Sequence, residues 1–250
     1  MQQHPAAVGI LGGMGPAAGA DFVRLFVDAC TELMRRQGLP VTDQAYPEHW
    51  LAQVPVPDRS AALRAPGLPQ RPLEAMKQVA ARLGALGVRT VAIACNTAHA
   101  WHGSLQDCFP DIEVIHGVRE VAEALARDGV REVGLLATEG TYASGIYQQA
   151  LEQAGVRCHV PLAAEQRLLM EGIYSGVKAG DLVLARQRFE AVARALAQRH
   201  ATGTLIMGCT EIPLALGPVP DAPALVDPAR LIARALAARA YGVAPGWGPS

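Results

Sequence analysis

Val91-Ala92-Ile93-Ala94-Cys95-Asn96-Thr97-Ala98-His99 and Leu205-Ile206-Met207-Gly208-Cys209-Thr210-Glu211-Ile212-Pro213 are two versions of one pattern. In each, a short apolar run predicts a buried strand, a cysteine ends it, and polar residues lead into a helix. Open parallel sheets bind ligands outside the carboxyl ends of their strands. Each cysteine therefore falls where a ligand is expected. Two acid/base groups facing each other across a cleft suit one kind of reaction, in which the first removes a proton from carbon and the second returns one to the opposite face.

Working outward, each cysteine strand is preceded by a second strand, a turn and a helix. Ala7-Val8-Gly9-Ile10-Leu11 predicts the first strand, Gly12-Gly13-Met14-Gly15 its turn, and Pro16 the first position of a helix running to Arg36. Residues 41–70 are rich in proline and polar side chains, and predict one strand and a long functional loop. An amphipathic helix over 71–86 leads into the strand of Cys95. The pattern then restarts, with a strand at Val133-Gly134-Leu135-Leu136-Ala137, a turn at Thr138-Glu139-Gly140-Thr141 and a helix over 142–154. Such a duplication predicts an α/β protein of two pseudo-symmetric domains, each a parallel sheet flanked by helices, with the active site in the cleft between them. The expected division is 1–116 plus 222–250 for the first domain and 117–221 for the second. A final helix near 228–241 packs back on the first domain, and the tail 242–250 is expected to fray.

Bulk properties narrow the function. The chain has 250 residues, half of them hydrophobic, enough for a sizeable core. A net charge of -1 leaves no electrostatic footprint for nucleic acid or an anionic membrane. The start lacks the basic region of a signal peptide, and no apolar run is long enough to span a bilayer, so cytoplasmic residence is expected. Five cysteines without a CxxC pair argue against a disulfide framework or a zinc ribbon. Cys30, Cys108 and Cys158 read as small buried hydrophobes. Cys95 and Cys209 differ because they sit at strand tips among Asn, Thr or Glu. A thiol ordinarily titrates near 8.5, lower at a helix N-terminus, within the range a reversible acid and base needs.

The chain resembles the aspartate/glutamate racemase family, in particular its cofactor-independent aspartate racemases. The resemblance rests on residues 9–16 (Gly-Ile-Leu-Gly-Gly-Met-Gly-Pro), Val56-Pro57-Asp58-Arg59, Cys95-Asn96-Thr97-Ala98-His99, residues 172–180 (Gly-Ile-Tyr-Ser-Gly-Val-Lys-Ala-Gly) and Gly208-Cys209-Thr210-Glu211. It implies interconversion of L- and D-aspartate by two catalytic thiols, Cys95 and Cys209. It implies no pyridoxal phosphate, nucleotide or metal. It places Asp58, Arg59, Ser60, Asn96, Thr97 and Ala98 in substrate-contacting stretches, and Lys178 with Arg59 on the side-chain carboxylate. The residues point the same way. A dicarboxylic amino acid needs two anion sites, for which Arg59 with Lys178 and the hydroxyls and amides of Asn96, Thr97, Thr138 and Thr141 are candidates. Thr210 is a further binding candidate, and a homodimer is the expected assembly.

Two positions depart from the family pattern. Gly19 stands where threonine is common and is expected to change a pocket wall; Glu139 stands where a small or polar residue is usual and is expected to affect carboxylate recognition. Other motifs carry less. Gly13-Met14-Gly15-Pro16-Ala17-Ala18 fits a degenerate dinucleotide fingerprint, but it lacks the acidic partner, and Pro16 removes an amide. His99 and His102 near Cys95 suggest zinc, yet no second ligand cluster is evident. His116 stands at the edge of the cleft or in a structural role. Glutamate or another amino acid remains an alternative substrate. So do a related isomerase, such as a maleate isomerase, and a dicarboxylate-binding protein without turnover.

Overall fold

The computed structural model describes residues 4–65, 70–217 and 223–244. In its first half, β1 (Val8–Gly12), α1 (Pro16–Arg36), β2 (His49–Gln53), α2 (Arg59–Arg64), α3 (Gln70–Ala85), β3 (Thr90–Ile93), α4 (His102–Cys108) and β4 (Glu113–Val114) follow in order. The second half runs α5 (Gly117–Arg127), β5 (Glu132–Ala137), α6 (Glu139–Ser144), α7 (Ile146–Gln153), β6 (Arg157–His159), α8 (Ala163–Glu171), α9 (Leu182–His200), β7 (Thr204–Gly208), β8 (Ala224–Val226) and α10 (Pro228–Ala240).

The two sheets have the same parallel order, β2-β1-β3-β4 and β6-β5-β7-β8. The duplication seen in the sequence is therefore a duplication of topology. In both sheets the chain leaves the first strand toward one edge and returns on its other side. Leu11 pairs with Ile93, and Ala137 with Gly208, across that switch. The crevice beyond such a switch point is where open sheets hold ligands. Cys95 and Cys209 lie just beyond it in their respective halves.

Periodicity explains the layers. In α1, Phe22, Leu25, Phe26, Ala29 and Leu33 recur at helical spacing and are buried. Phe22, Leu25, Phe26 and Ala29 share one core with Ile232, Ala233 and Leu236 of α10. In α3, Leu73, Met76, Val79, Ala80 and Leu83 cover the other face of the first sheet. Phe189, Val192 and Leu196 of α9 do the same for the second sheet.

Several expectations change. The helix expected over 142–154 begins at Glu139 and is divided by Gly145, whose φ of 67° ends one helical segment and starts the next. The long functional loop contains α2, capped by Asp58, whose side chain accepts from the Ala61 N–H at 2.8 Å. The expected domain edge at 221/222 and the tail 245–250 lie outside the described residues. Ala224–Val226, expected in the first half, pair with β7 of the second sheet, and α10 beyond them returns to α1. The three-residue strand β8 finds a free edge there, beside β7.

The halves meet along α2 and α6. Arg64 bonds Glu139, and Gly140 lies so close to α2 that a Cβ there would stand 2.7 Å from the Ser60 Cα. Gly140→Val should therefore force this seam apart. Overpacking of this kind costs about 1–3 kcal/mol. For a chain of this size each kcal/mol lowers Tm by roughly 2–4 °C. Calorimetry of the variant checks this, and an unchanged Tm would show that the seam yields freely.

Candidate active site

Cys95 and Cys209 line one cavity together with residues of both halves. Asp58, Arg59, Ser60, Asn96 and Thr97 come from the first half, and Thr138, Lys178 and Thr210 from the second. Two of the residues singled out in the sequence are not on its wall. Ala98 is fully buried in the first core. Thr141 stands behind the wall, fully buried, in a triangle of hydroxyls: Thr97 Oγ1 lies 3.0 Å from Thr138 Oγ1 and 2.9 Å from Thr141 Oγ1, and the last two are 3.1 Å apart. The triangle joins the tip of one sheet to the tip of the other. Met14, Ile173, Tyr174 and Glu211 also line the cavity. All four lie inside motifs quoted above, but nothing in their spacing marks them as wall residues.

After Cys95 the chain makes a 3-10 turn, Thr97–Trp101, that runs on into α4, whereas after Cys209 the expected helix is only a three-residue 3-10 turn, Ile212–Leu214. The thiol at Cys209 is therefore not lowered by a helix. Burial pushes it well above its ordinary range, and the Glu211 carboxylate adds to the shift. Cys209 Sγ donates to Glu211 Oε2 at 3.0 Å, and Thr210 Oγ1 donates to the same oxygen at 3.2 Å. At rest Cys209 is a protonated donor. An unfolded thiol ionises near 8.5. The folded pKa is higher, so the stability Cys209 contributes is complete below about 8.5 and is lost as pH rises from there toward the folded pKa. Glu211→Gln removes the anion and should make Cys209 ionise at lower pH. Its alkylation by iodoacetamide at pH 8.5, followed by mass spectrometry, should be faster than in wild type. An equal or slower rate would mean that Glu211 does not hold the proton on Cys209.

Arg59 is built into the wall. Its Nη1 donates to Val56 O and Pro57 O at 2.9 and 3.2 Å, and its Nη2 to Met14 O at 2.7 Å. Its Nε is buried without a hydrogen-bond partner among the described residues. Much of the fork expected to grip a ligand is thus committed to carbonyls, and the unpaired Nε–H remains. Burial opposes its charge, but Cys95, Asp58 and Glu211 more than offset this and raise its pKa. Lys178 Nζ lies 4.0 Å from Glu211 Oε1 and 4.4 Å from the centre of the Tyr174 ring. Tyr174 stands on a π-helical turn, Gly172–Gly176, and donates to Asp58 Oδ2 at 2.9 Å, linking the halves at the cavity. Burial works against the Asp58 charge. The Ala61 amide, the Tyr174 hydroxyl and the two cations prevail and lower its pKa. Asn96 is held from the far half by Tyr147, whose hydroxyl donates to Asn96 Oδ1 at 2.5 Å.

The two departures noted in the sequence fall elsewhere. Gly19 does not line the cavity. The Gln53 side chain fills the space beside it, with Oε1 where a Cβ would need to stand and Nε2 donating to Pro16 O at 2.8 Å. Glu139 faces Arg64 rather than the cavity. Gly13, part of the discounted dinucleotide fingerprint, has φ of 84° and packs on the Val54 backbone, which accounts for a glycine there without a nucleotide. Among the described residues no cluster of His, Cys, Asp or Glu is arranged to hold a metal. Cys30 is buried as expected, but Cys158 is half-buried and Cys108 exposed. Cys108 is the last residue of α4. No described helix is long and apolar enough to cross a membrane.

The sequence and the fold both have counterparts among known proteins. Residues 11–236 match the sequence profile described as Asp/Glu/Hydantoin racemase. The chain belongs to this family. The structure of the aspartate racemase of Picrophilus torridus superposes with a TM-score of 0.78 and 27% identity, over 96% of each chain. This racemase-family chain also shares 36% identity over 155 residues with a glutamate racemase of Thermus thermophilus. It shares 29% over 154 residues with the broad specificity amino-acid racemase of Bacillus subtilis. Those matches cover 60% and 59% of this chain, but only 55% and 61% of the two relatives.

Proposed function

We propose that this chain is an amino-acid racemase that interconverts L- and D-aspartate, with Cys95 and Cys209 as the paired acid and base and without pyridoxal phosphate, nucleotide or metal. The observation that carries this reading is the shared cavity, in which two thiols from equivalent sheet positions stand with Arg59 and Lys178. In one direction Cys95 takes the proton from Cα, and Cys209 delivers its own to the opposite face. In the other direction the roles exchange. The charge left on the substrate spreads into the α-carboxylate, for which Asn96, Thr97 and Thr138 are the donors. Arg59 Nε–H and Lys178 are the donors for the distal carboxylate, with Asp58, Ser60 and Thr210 completing the contacts. Once Cys209 has lost its proton, two anions face each other at Glu211, which favours proton return.

Glutamate is the second reading, supported by the likeness to a glutamate racemase. It is one methylene longer, and a methylene discriminates by only roughly 10–200-fold. The test is incubation of dialysed, metal-free protein with L-aspartate, L-glutamate, L-asparagine and L-alanine in deuterated water. D-aspartate should appear on chiral chromatography with deuterium at Cα. Inversion of none of the four, or activity that depends on added pyridoxal phosphate or ATP, overturns the reading. A homodimer is the proposed assembly, and a monomer in sedimentation velocity would overturn that part alone.

A further inference from the structure

His99 is almost completely buried and does not line the cavity. Its Nδ1 lies 2.9 Å from Cys95 O and 3.2 Å from Asn96 O. Both partners are carbonyls, which only accept, so Nδ1 carries the ring proton. Burial, and next to it His102, hold the imidazole down at about 4, so it is neutral at any ordinary working pH. The other ring nitrogen, Nε2, is buried with no partner of hydrogen-bond geometry among the described residues, and the Ile115 carbonyl adds only a weak pull on the ring beside those of Cys95 and Asn96. A leucine would fill that space without leaving a polar atom unpaired. What the imidazole adds there is the Nδ1–H on the backbone of the catalytic turn.

The neighbouring rings do not explain it. The His116 ring is 5.9 Å from His99, and its Nδ1 accepts from the Arg119 N–H. His102 is bonded through Nε2 to Val114 O at 2.7 Å. Each is committed to its own backbone contact.

A peptide unit is planar and trans, so its C=O and N–H point in opposite directions. A donor that fixes the Cys95 carbonyl on the buried side therefore turns the following N–H, that of Asn96, to the opposite side. Cys95 and Asn96 themselves line the cavity. We propose that His99 is a positioning residue, which locks the Cys95–Asn96 peptide so that the Asn96 N–H faces the cavity and donates to the substrate carboxylate as charge develops on it. The same lock sets the direction of the Cys95 thiol. Asn96 is then fixed twice, its backbone by His99 and its side chain by Tyr147. This inference rests on the racemase reading for its catalytic part, but not for its statement about the geometry of Cys95.

Three variants separate a donor from a space-filler. Asn places an amide nitrogen where Nδ1 stands, Gln places it one carbon further, and Leu has none. Removing one preorganised donor of this kind typically lowers kcat by about 10²–10³. His99→Leu should lose on the order of 10² in kcat, with a much smaller change in KM. His99→Asn should recover most of that loss, and His99→Gln little of it. If His99→Leu fails to fold, the Asn and Gln variants, both polar, carry the comparison. Equal kcat in those two, or a folded His99→Leu within about threefold of wild type, overturns the proposal. A second readout does not need turnover. The rate at which iodoacetamide labels Cys95, read by mass spectrometry, should match wild type in His99→Asn and differ several-fold in His99→Leu and His99→Gln. Identical labelling in all four proteins overturns the positioning role even if no amino acid is racemised, whereas absent racemisation with the expected labelling overturns only the racemase reading.

Discussion

Cys95→Ala and Cys209→Ala should each reduce racemisation by at least about 10³. Positioned acid/base groups contribute typically 10²–10⁴-fold each, and here each face of Cα has a single group to serve it. The two variants should nevertheless differ from an inert protein. With one thiol left, a proton can leave and return on the same face. Deuterium should then enter Cα slowly with retention of configuration, from one enantiomer for each variant. Chiral chromatography and Cα labelling, measured together, check both statements. Near-full racemisation by either variant would mean that another group works on that face. The burial of Cys209 beside Glu211 adds an asymmetry, since the thiol that holds its proton at rest is removed in only one of the two.

Removing Lys178 or Arg59 should have the next largest effect. A charge contact that becomes desolvated once ligand covers it, and then loses one partner, typically costs about 2–5 kcal/mol, on the order of 30-fold or more. Arg59 is already half-buried, and Lys178, exposed here, would become buried only under the substrate. Lys178→Leu should lower kcat/KM for aspartate by that factor and leave alanine nearly unchanged, relaxing discrimination against neutral side chains. Arg59→Leu should lower it at least as much and also reduce Tm, because the Met14, Val56 and Pro57 carbonyls lose their donor. Arg59→Lys should restore only part of the loss, since an ammonium keeps the charge but not the planar fork. The comparison is kcat/KM for aspartate, glutamate, asparagine and alanine in each protein. If both leucine variants keep the wild-type order and efficiency, these cations do not hold the distal carboxylate.

Glu211 shows why part of the site is out of reach of the sequence. It stands two residues from Cys209 in a motif that the sequence displays, yet nothing local says that its carboxylate turns back to accept from the thiol. The expectation of a lowered thiol fails there because it assumes a helix, where the chain makes a three-residue 3-10 turn. Glu139 is the opposite case. Its turn suggests a ligand nearby, and instead it meets Arg64, from a helix 75 positions earlier in the chain. Gly19 draws notice for the hydroxyl it lacks, whereas its neighbour Gln53 occupies the space.

The elements themselves are legible. Apolar runs of strand length, helical spacing in α1 and α3, and the glycine turns are local properties, repeated at i+1 to i+4, and their limits fall within a few residues of expectation. The duplication is legible for the same reason, because an order of local patterns can be read along the chain. Both cysteines can be named because strand ends are local, and parallel sheets have a known ligand-binding end. Which side chains meet across the cavity is decided only in three dimensions. Tyr174 reaching Asp58, Tyr147 reaching Asn96, the hydroxyl triangle of Thr97, Thr138 and Thr141, and the commitment of Arg59 to three carbonyls all join residues from separate stretches of chain. Such contacts have no period. They depend on how two sheets are set against each other, and that is settled by the packing of α2 on α6 and of α10 on α1, not by any pattern of neighbouring residues.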